Sequence, residues 1–335
     1  MFSRVLKDTS FSRYICRYVQ NKNASIIQQY KVPNNIGSDT EANALQKVDK
    51  DLSGLTPYYP KSFNLAGYVN TSETLQKLIQ LNVNLSQIEK KPHLAEKILK
   101  LNFERDVQGH IFFLKDYVDI EEIGSFITKN PLILTELLDD LRVRINYLES
   151  KCFSETQIKR IITENPFWLM FSTTRIDRRF GFYQEKFILK GKDVRLLATK
   201  QPKLITYNLH HVNTNIFALK EEMGFNQEEL KQLVLKKPKL YMLGHKTLLE
   251  RFNYVHNEMQ IPHHRILEDP EVLLSRNFRI KQRHLFLSRL GRAQYNPKKE
   301  NYVPVKSLVE GTDIEFCKQY AKCNVADYNL FLKTL

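Results

Sequence analysis

Glycine is scarce in this sequence, at 11 of 335 residues. That argues against Gly-rich phosphate-binding sheets and against turn-dense β folds. Cysteine is scarcer still. The four residues Cys16, Cys152, Cys317 and Cys323 are too few for a disulfide framework. The spacing of Cys317 and Cys323 matches no common zinc pattern, so all four are read as reduced thiols. No uninterrupted apolar run approaches the length of a bilayer-spanning helix, so no membrane insertion is expected. Catalytic signatures are missing as well: there is no GxxxxGK[ST], GxGxxG, HExxH or GxSxG. The pairs His210/His211 and His263/His264 are adjacent, so on a helix they point about 100° apart and do not share a metal. His256 and His263 are possible neighbours, but no carboxylate or Cys completes a site. No catalytic residue, metal site or cofactor is expected.

What is present is apolar residues at 42%, enough for a sizeable core, and an excess of base. Lys and Arg number 51 against 37 Asp and Glu, a net charge of +14. The excess is uneven: residues 167–202 carry +5 and 271–335 carry +6, while 61–166 are nearly neutral. Two basic blocks on a neutral framework suggest a polyanion contact at more than one place; the alternative is a solvated Lys/Arg surface. The N-terminal segment 1–34 holds six basic side chains (Arg4, Lys7, Arg13, Arg17, Lys22, Lys31) and one acid, Asp8, with Ser and apolar residues between them. This is the composition of a mitochondrial transit peptide; the alternative is a basic tail that stays attached. Residues 1–64 are read as presequence plus linker, and the protein as mitochondrial, in the matrix.

From residue 65 the chain repeats. Pro92, Pro131, Pro166, Pro202, Pro238 and Pro270 recur at near-constant steps along the chain, with a period typical of repeat architectures. Eight, five and four residues before the central prolines the side chains are apolar, as in Ile158, Ile161 and Ile162 before Pro166 and Leu230, Leu233 and Val234 before Pro238. That spacing defines one face of a short helix. Ser154 with Gln157 and Asn226 with Glu229 have capping-box spacing, and each proline stops the helix. An apolar pair follows two and three residues after the proline: Ile133/Leu134, Trp168/Leu169, Leu204/Ile205, Leu240/Tyr241 and Val272/Leu273. It is read as a turn that plugs apolar side chains between repeats. A longer amphipathic helix comes next, closed in two repeats by Gly224 or Gly291, which suits a left-handed C-cap. One such unit cannot bury its own face, so the expected class is all-α, a stacked α-solenoid.

Thirteen residues after the prolines stand Arg144, Arg179, Asn215, Arg251 and Arg283; Arg105 shares the offset in a somewhat longer repeat. Such a column either follows a phosphate backbone or braces the preceding turn by bonding its free carbonyls. Further phosphate candidates are Arg175 and Arg178 on one helix, Arg276, Arg279 and Lys281 on another, and Lys203, Lys237 and Lys239 beside Pro202 and Pro238. The two basic helical flanks stand on corresponding helices and are expected on the same edge of a regular solenoid. The abundant Phe and Tyr are read mostly as core.

The proline-centred units and their arginine column resemble repeats of the mitochondrial transcription termination factor (mTERF) family. VNTSETLQKLIQLNVNLSQIEKKP at 69–92, FNYVHNEMQIPHH at 252–264, RHLFLSRLGRAQYNP at 283–297 and FLKTL at 331–335 carry the resemblance through nearly all of 65–335. It implies a superhelix of helix–helix–3₁₀ repeats over 65–300 with a helical cap over 301–335. It also implies a monomer that binds double-stranded nucleic acid along a basic concave face. Similar members are associated with lower mitochondrial transcription from the promoter region and with mitochondrial ribosome assembly. The implied partners are therefore mitochondrial DNA, ribosomal RNA or ribosome-assembly factors. The alternative is a scaffold that holds an assembly or RNA-modifying partner. The family's base-everting side chains have no match here, and Pro262 departs from the pattern, with a change of curvature expected there.

Overall fold

The proline register is kept residue for residue in the computed structural model, which describes residues 64–335. The expected presequence, and all but the last residue of the expected linker, lie outside the described residues. Among these residues every regular element is helical. The short helices Ile120–Lys129, Glu155–Glu164, Gly191–Lys200, Gln227–Lys236 and His263–Glu268 each end two residues before a proline. The long helices Leu138–Ser150, Thr173–Phe187, Leu209–Phe217, His245–Asn253 and Asn277–Arg289 each begin seven residues after one. Ring closure fixes φ of the proline and pushes the residue before it out of the helical region. Asn130, Asn165, Gln201 and Lys237 accordingly sit at φ −134° to −141°.

Both expected capping boxes form. The Ser154 and Asn226 side chains accept from the backbone N–H of Gln157 and Glu229, whose side chains accept the capping residues' N–H in return. Gly224 and Gly291 adopt positive φ at helix ends, as expected. The apolar pairs after the prolines are all buried, so each turn is a plug. The turns are helical: Pro131–Thr135, Trp168–Met170 and Pro238–Met242 are 3₁₀, whereas Pro202–Thr206 and Glu271–Leu274 are single α-turns.

Stacking is between sequence neighbours. Short helix packs on the next short helix, and each long helix lies against the turn of the following repeat. The core is linear and built chiefly between adjacent repeats, with some contacts reaching one repeat further, as between the Phe187 and Tyr241 rings at 5.0 Å. The two ends differ from the regular pattern. Pro92 ends one helix but opens an eight-residue helix, Pro92–Leu99, instead of a tight turn. At the other end Pro304, close to one repeat period beyond Pro270, introduces the 3₁₀ turn Val305–Leu308, which packs on Asn277–Arg289 as the earlier turns pack on theirs. The turn motif therefore extends one unit beyond Pro270. Pro262 stands at the N-cap of a short helix of only six residues.

Candidate nucleic-acid interface

The cations divide into two sets by direction. The first is the column thirteen residues after each proline, which points inward. Arg144 donates to Leu169 O and pairs with Glu136 Oε2 at 2.9 Å. Arg179, 8% exposed, donates to Ile205 O at 2.7 Å and Tyr207 O at 2.5 Å. Arg251 donates to Leu273 O and Leu274 O, both at 2.9 Å. Arg283, fully buried, donates to Ser307 O at 2.8 Å, Glu310 O at 2.6 Å and Gly311 O at 3.1 Å, and pairs with Asp313 Oδ1 at 2.7 Å. Of the two roles open to the column, the geometry shows the brace. It also corrects which turn is braced: the carbonyls that these arginines bond all belong to the following repeat, although Arg144 also pairs with Glu136 at the end of the preceding turn. The reason is the stacking order, because the inner face of each long helix lies over the next plug and its unpaired carbonyls. Burial, and then the neighbouring Arg175 guanidinium, pulls Arg179 below the usual arginine value; arginine keeps its charge regardless. Charge-assisted bonds of this kind are worth about 1.5–3 kcal/mol each.

Asn215 fills the same place in the Pro202 repeat with a neutral, shorter side chain. Its Nδ2 donates to Tyr241 O at 3.1 Å and Leu243 O at 2.8 Å, and His211 Nε2 lies 2.6 Å from the same Leu243 O. In the first repeat the occupant is His110, not Arg105. His110 is buried, with Nδ1 at 2.8 Å from Asp106 O and Nε2 at 2.8 Å from Glu136 O. Arg105 is exposed and pairs with Asp106. The longer first repeat had displaced the register, and a buried His has no periodic signal to betray it. A second ladder also escaped the sequence. Asn130 Nδ2 donates to Pro166 O at 2.9 Å, and Asn165 Nδ2 to Pro202 O at 3.3 Å. Lys200 Nζ donates to Leu235 O and Lys236 O, and Lys236 Nζ to Leu267 O, all at 2.8 Å. Lys237, a phosphate candidate, pairs with Glu271 of the next repeat.

The second set points outward. Arg178, Lys203, Lys239 and Arg276 are exposed and meet no hydrogen-bond or ion-pair partner among the described residues. Arg175 lies over the Phe171 ring at 4.2 Å and Lys281 over the Tyr254 ring at 5.0 Å. Arg279 is half-buried and donates to Gly311 O. Lys203 and Lys239 each follow a proline directly, one repeat apart, and Arg175 and Arg279 each stand nine residues after one. Stacked repeats present equivalent positions at regular steps. Seven of the twelve sequence candidates (Arg175, Arg178, Lys203, Lys239, Arg276, Arg279, Lys281) thus remain on the outer side of the repeats. Arg144, Arg179, Arg251, Arg283 and Lys237 are committed to contacts within the fold.

Comparison with known proteins agrees with this architecture. The mTERF family model matches residues 34–317. The chain is 48% identical over 295 residues to "Transcription termination factor 3, mitochondrial" of Drosophila melanogaster, covering 88% of this chain and 83% of that protein. It is 45% identical over 296 residues to the Rattus norvegicus protein of the same name, covering 87% and 72%. Similarity to "Transcription termination factor 4, mitochondrial" of Mus musculus is 25% over 178 residues, about half of each chain. A linear stack of proline-centred two-helix units, its arginine braces and the extent of these matches lead to one conclusion: the chain belongs to the mTERF family.

Proposed function

We propose that this protein is a non-catalytic, nucleic-acid-binding regulator of mitochondrial gene expression. In this reading it binds double-stranded mitochondrial DNA through its outward cations and lowers transcription from the promoter region. A further role with RNA in mitochondrial ribosome assembly uses the same phosphate contacts, which serve either polymer. Family membership and the names of the relatives support the class. The observation that carries the reading is the separation of cations by direction. The inward arginines are engaged by carbonyls of the fold, whereas Arg178, Lys203, Lys239 and Arg276 are exposed and, among the described residues, without a partner. Phosphate neutralisation supplies affinity without sequence preference.

The test is salt dependence on duplex DNA. Each phosphate contact contributes about 0.9 to the slope of log K against log[salt]. Lys203→Gln with Lys239→Gln should reduce the slope by about 1.8, on all sequences alike, and leave the melting midpoint in place. An unchanged slope would move the interface elsewhere. A scaffold reading draws on a different observation: Phe112, Leu137 and Val143 are more than half exposed in the least basic repeats. A protein partner retained from nuclease-treated matrix would favour it.

A further inference from the structure

Large apolar side chains stand in water on two neighbouring long helices: Phe112 is 62% exposed, Leu137 71% and Val143 55%. Phe112 lies on Gln108–Lys115, whose buried side is His110, Phe113 and Leu114. Val143 lies on Leu138–Ser150, whose buried side is Leu141, Ile145 and Leu148, and Leu137 caps that helix. At about 100° per residue, Phe112 and Val143 both face away from the core. The two helices lie side by side. His110 Nε2 is 2.8 Å from Glu136 O, and an added Cβ on Gly109 would come within 2.8 Å of Leu138. The exposed residues are therefore neighbours on the outer side of one repeat junction, whereas exposed apolar residues are ordinarily scattered singly. The register of the repeats shows what is unusual. Six, nine and twelve residues after Pro131 stand Leu137, Asp140 and Val143. The same places hold Ser172, Arg175 and Arg178 after Pro166, and Arg276, Arg279 and Gln282 after Pro270. A stripe that carries cations in the basic repeats is apolar and acidic here. Its surroundings are acidic too: residues 116–140 hold seven acids against one base, Lys129, in a chain of net charge +14. Asp116, one turn from Phe112 and on its face, is exposed and has no ion-pair partner among the described residues. Asp139 and Asp140 meet Arg142 and Arg144, yet their side chains stay 91% and 58% exposed.

We propose that this surface docks a basic amphipathic helix of a protein partner, with the helix's apolar side on Phe112, Leu137 and Val143 and its Lys or Arg side chains on Asp116, Asp139 and Asp140. The proposal rests on the scaffold reading above, to which it gives a place and a partner chemistry, and it is independent of the nucleic-acid reading. Acids repel phosphate at this junction, and Leu and Val offer no ring for a base to stack on. An amphipathic helix presents apolar side chains at three- and four-residue steps and charged ones beside them. That pattern complements apolar anchors with acids one turn away. The apolar contacts supply affinity, as at the core of a protein interface. The charges steer the approach and select a basic helix over an acidic one.

The experiment measures fluorescence anisotropy with the full chain and two fluorescein-labelled synthetic helices of about 18 residues, long enough to be helical. Both carry Leu at helical spacing; one has Lys at the remaining positions and the other Glu. The net charge of the chain favours the Glu peptide. The expected result is the reverse, with the Lys peptide bound about tenfold tighter, which only a local acidic surface explains. Phe112→Ser with Val143→Ser should weaken the Lys peptide by about tenfold, since two central anchors are lost. Asp139→Asn with Asp140→Asn should bring the two peptides closer together and flatten the salt dependence. Because Phe112 and Val143 are largely exposed, their double variant should keep the wild-type urea midpoint and the wild-type affinity for blunt duplex DNA. A Lys peptide that does not bind, a preference for the Glu peptide, or Lys-peptide binding that survives the loss of Phe112 and Val143 would overturn the proposal. A fall in duplex affinity in that variant would assign the surface to nucleic acid, and self-association abolished by it would assign the surface to a second copy of the chain; either result makes the proposal wrong. A matrix protein that the variant still retains after nuclease treatment would keep the scaffold reading but remove it from this surface.

Discussion

A single side chain can join two repeats, and Arg283 shows how. Its guanidinium donates to three carbonyls and one carboxylate across the last repeat junction while fully buried. Arg283→Lys keeps the charge but loses the planar fork, leaving buried carbonyls without donors. It should lower the unfolding free energy by about 3 kcal/mol in urea titration; a loss below about 0.5 kcal/mol would mean that water replaces the brace. Ile188 provides the opposite case. It is a β-branched, 60% exposed residue at φ +52°, in the C-cap place that Gly224 fills one repeat later. That conformation costs an L-residue about 1–2 kcal/mol. Ile188→Gly should therefore stabilise by about 1 kcal/mol, read as a higher urea midpoint. The sequence showed that position thirteen matters, because arginine recurs there. It did not reveal direction, since a guanidinium reaching a carbonyl and one reaching a phosphate leave the same letter at the same offset. Ile188 was illegible for a related reason: a left-handed backbone is visible in sequence only when glycine or asparagine marks it.

Helix packing sets tighter limits on some residues than composition suggests. Gly124 in Ile120–Lys129 lies so close to the chain end of Glu73–Gln80 that an added Cβ would come within 1.9 Å of Leu81 O. Gly124→Ala must push the two helices apart and should cost about 3 kcal/mol in urea titration, the upper range for overpacking. Further along, rings from three elements gather. His263 opens a short helix, stacks on Phe225 at 4.7 Å and lies 4.6 Å from His256. Burial, and then His256, holds His263 below the usual imidazole value, and burial lowers His284. In both cases the folded state favours the neutral ring. The unfolded chain therefore binds more protons once the pH falls below about 6.5. Stability from these groups is complete above that value and is lost as the pH drops toward the lowered ones. Urea midpoints at neutral and mildly acidic pH should differ in that direction, and His263→Phe should narrow the gap. Most of the helices were legible, because the apolar spacing, capping boxes and prolines all agree on their limits. The Pro304 turn was missed because Ser307 stands where an apolar plug residue was expected.

At the scale of the molecule, stability should behave as a chain of neighbouring terms and not as one indivisible core. The charge layout runs along the same axis in blocks: the basic stretches 167–202 and 271–335 are separated by the near-neutral 203–270. These two blocks were plain in composition alone, whereas the division of their cations into braces and free groups needed coordinates. The junctions are not equal. Arginines clamp those after the Pro131, Pro166, Pro238 and Pro270 units, while Asn215 and His211 hold the one between Pro202 and Pro238 with shorter side chains, and the Asn215 Oδ1 is left buried without a partner. Pulled from its two termini in an optical trap, the protein should part first at this seam, giving two halves that unravel at different forces. A weak central link of that kind lets one half adjust its pitch to a partner while the other stays docked.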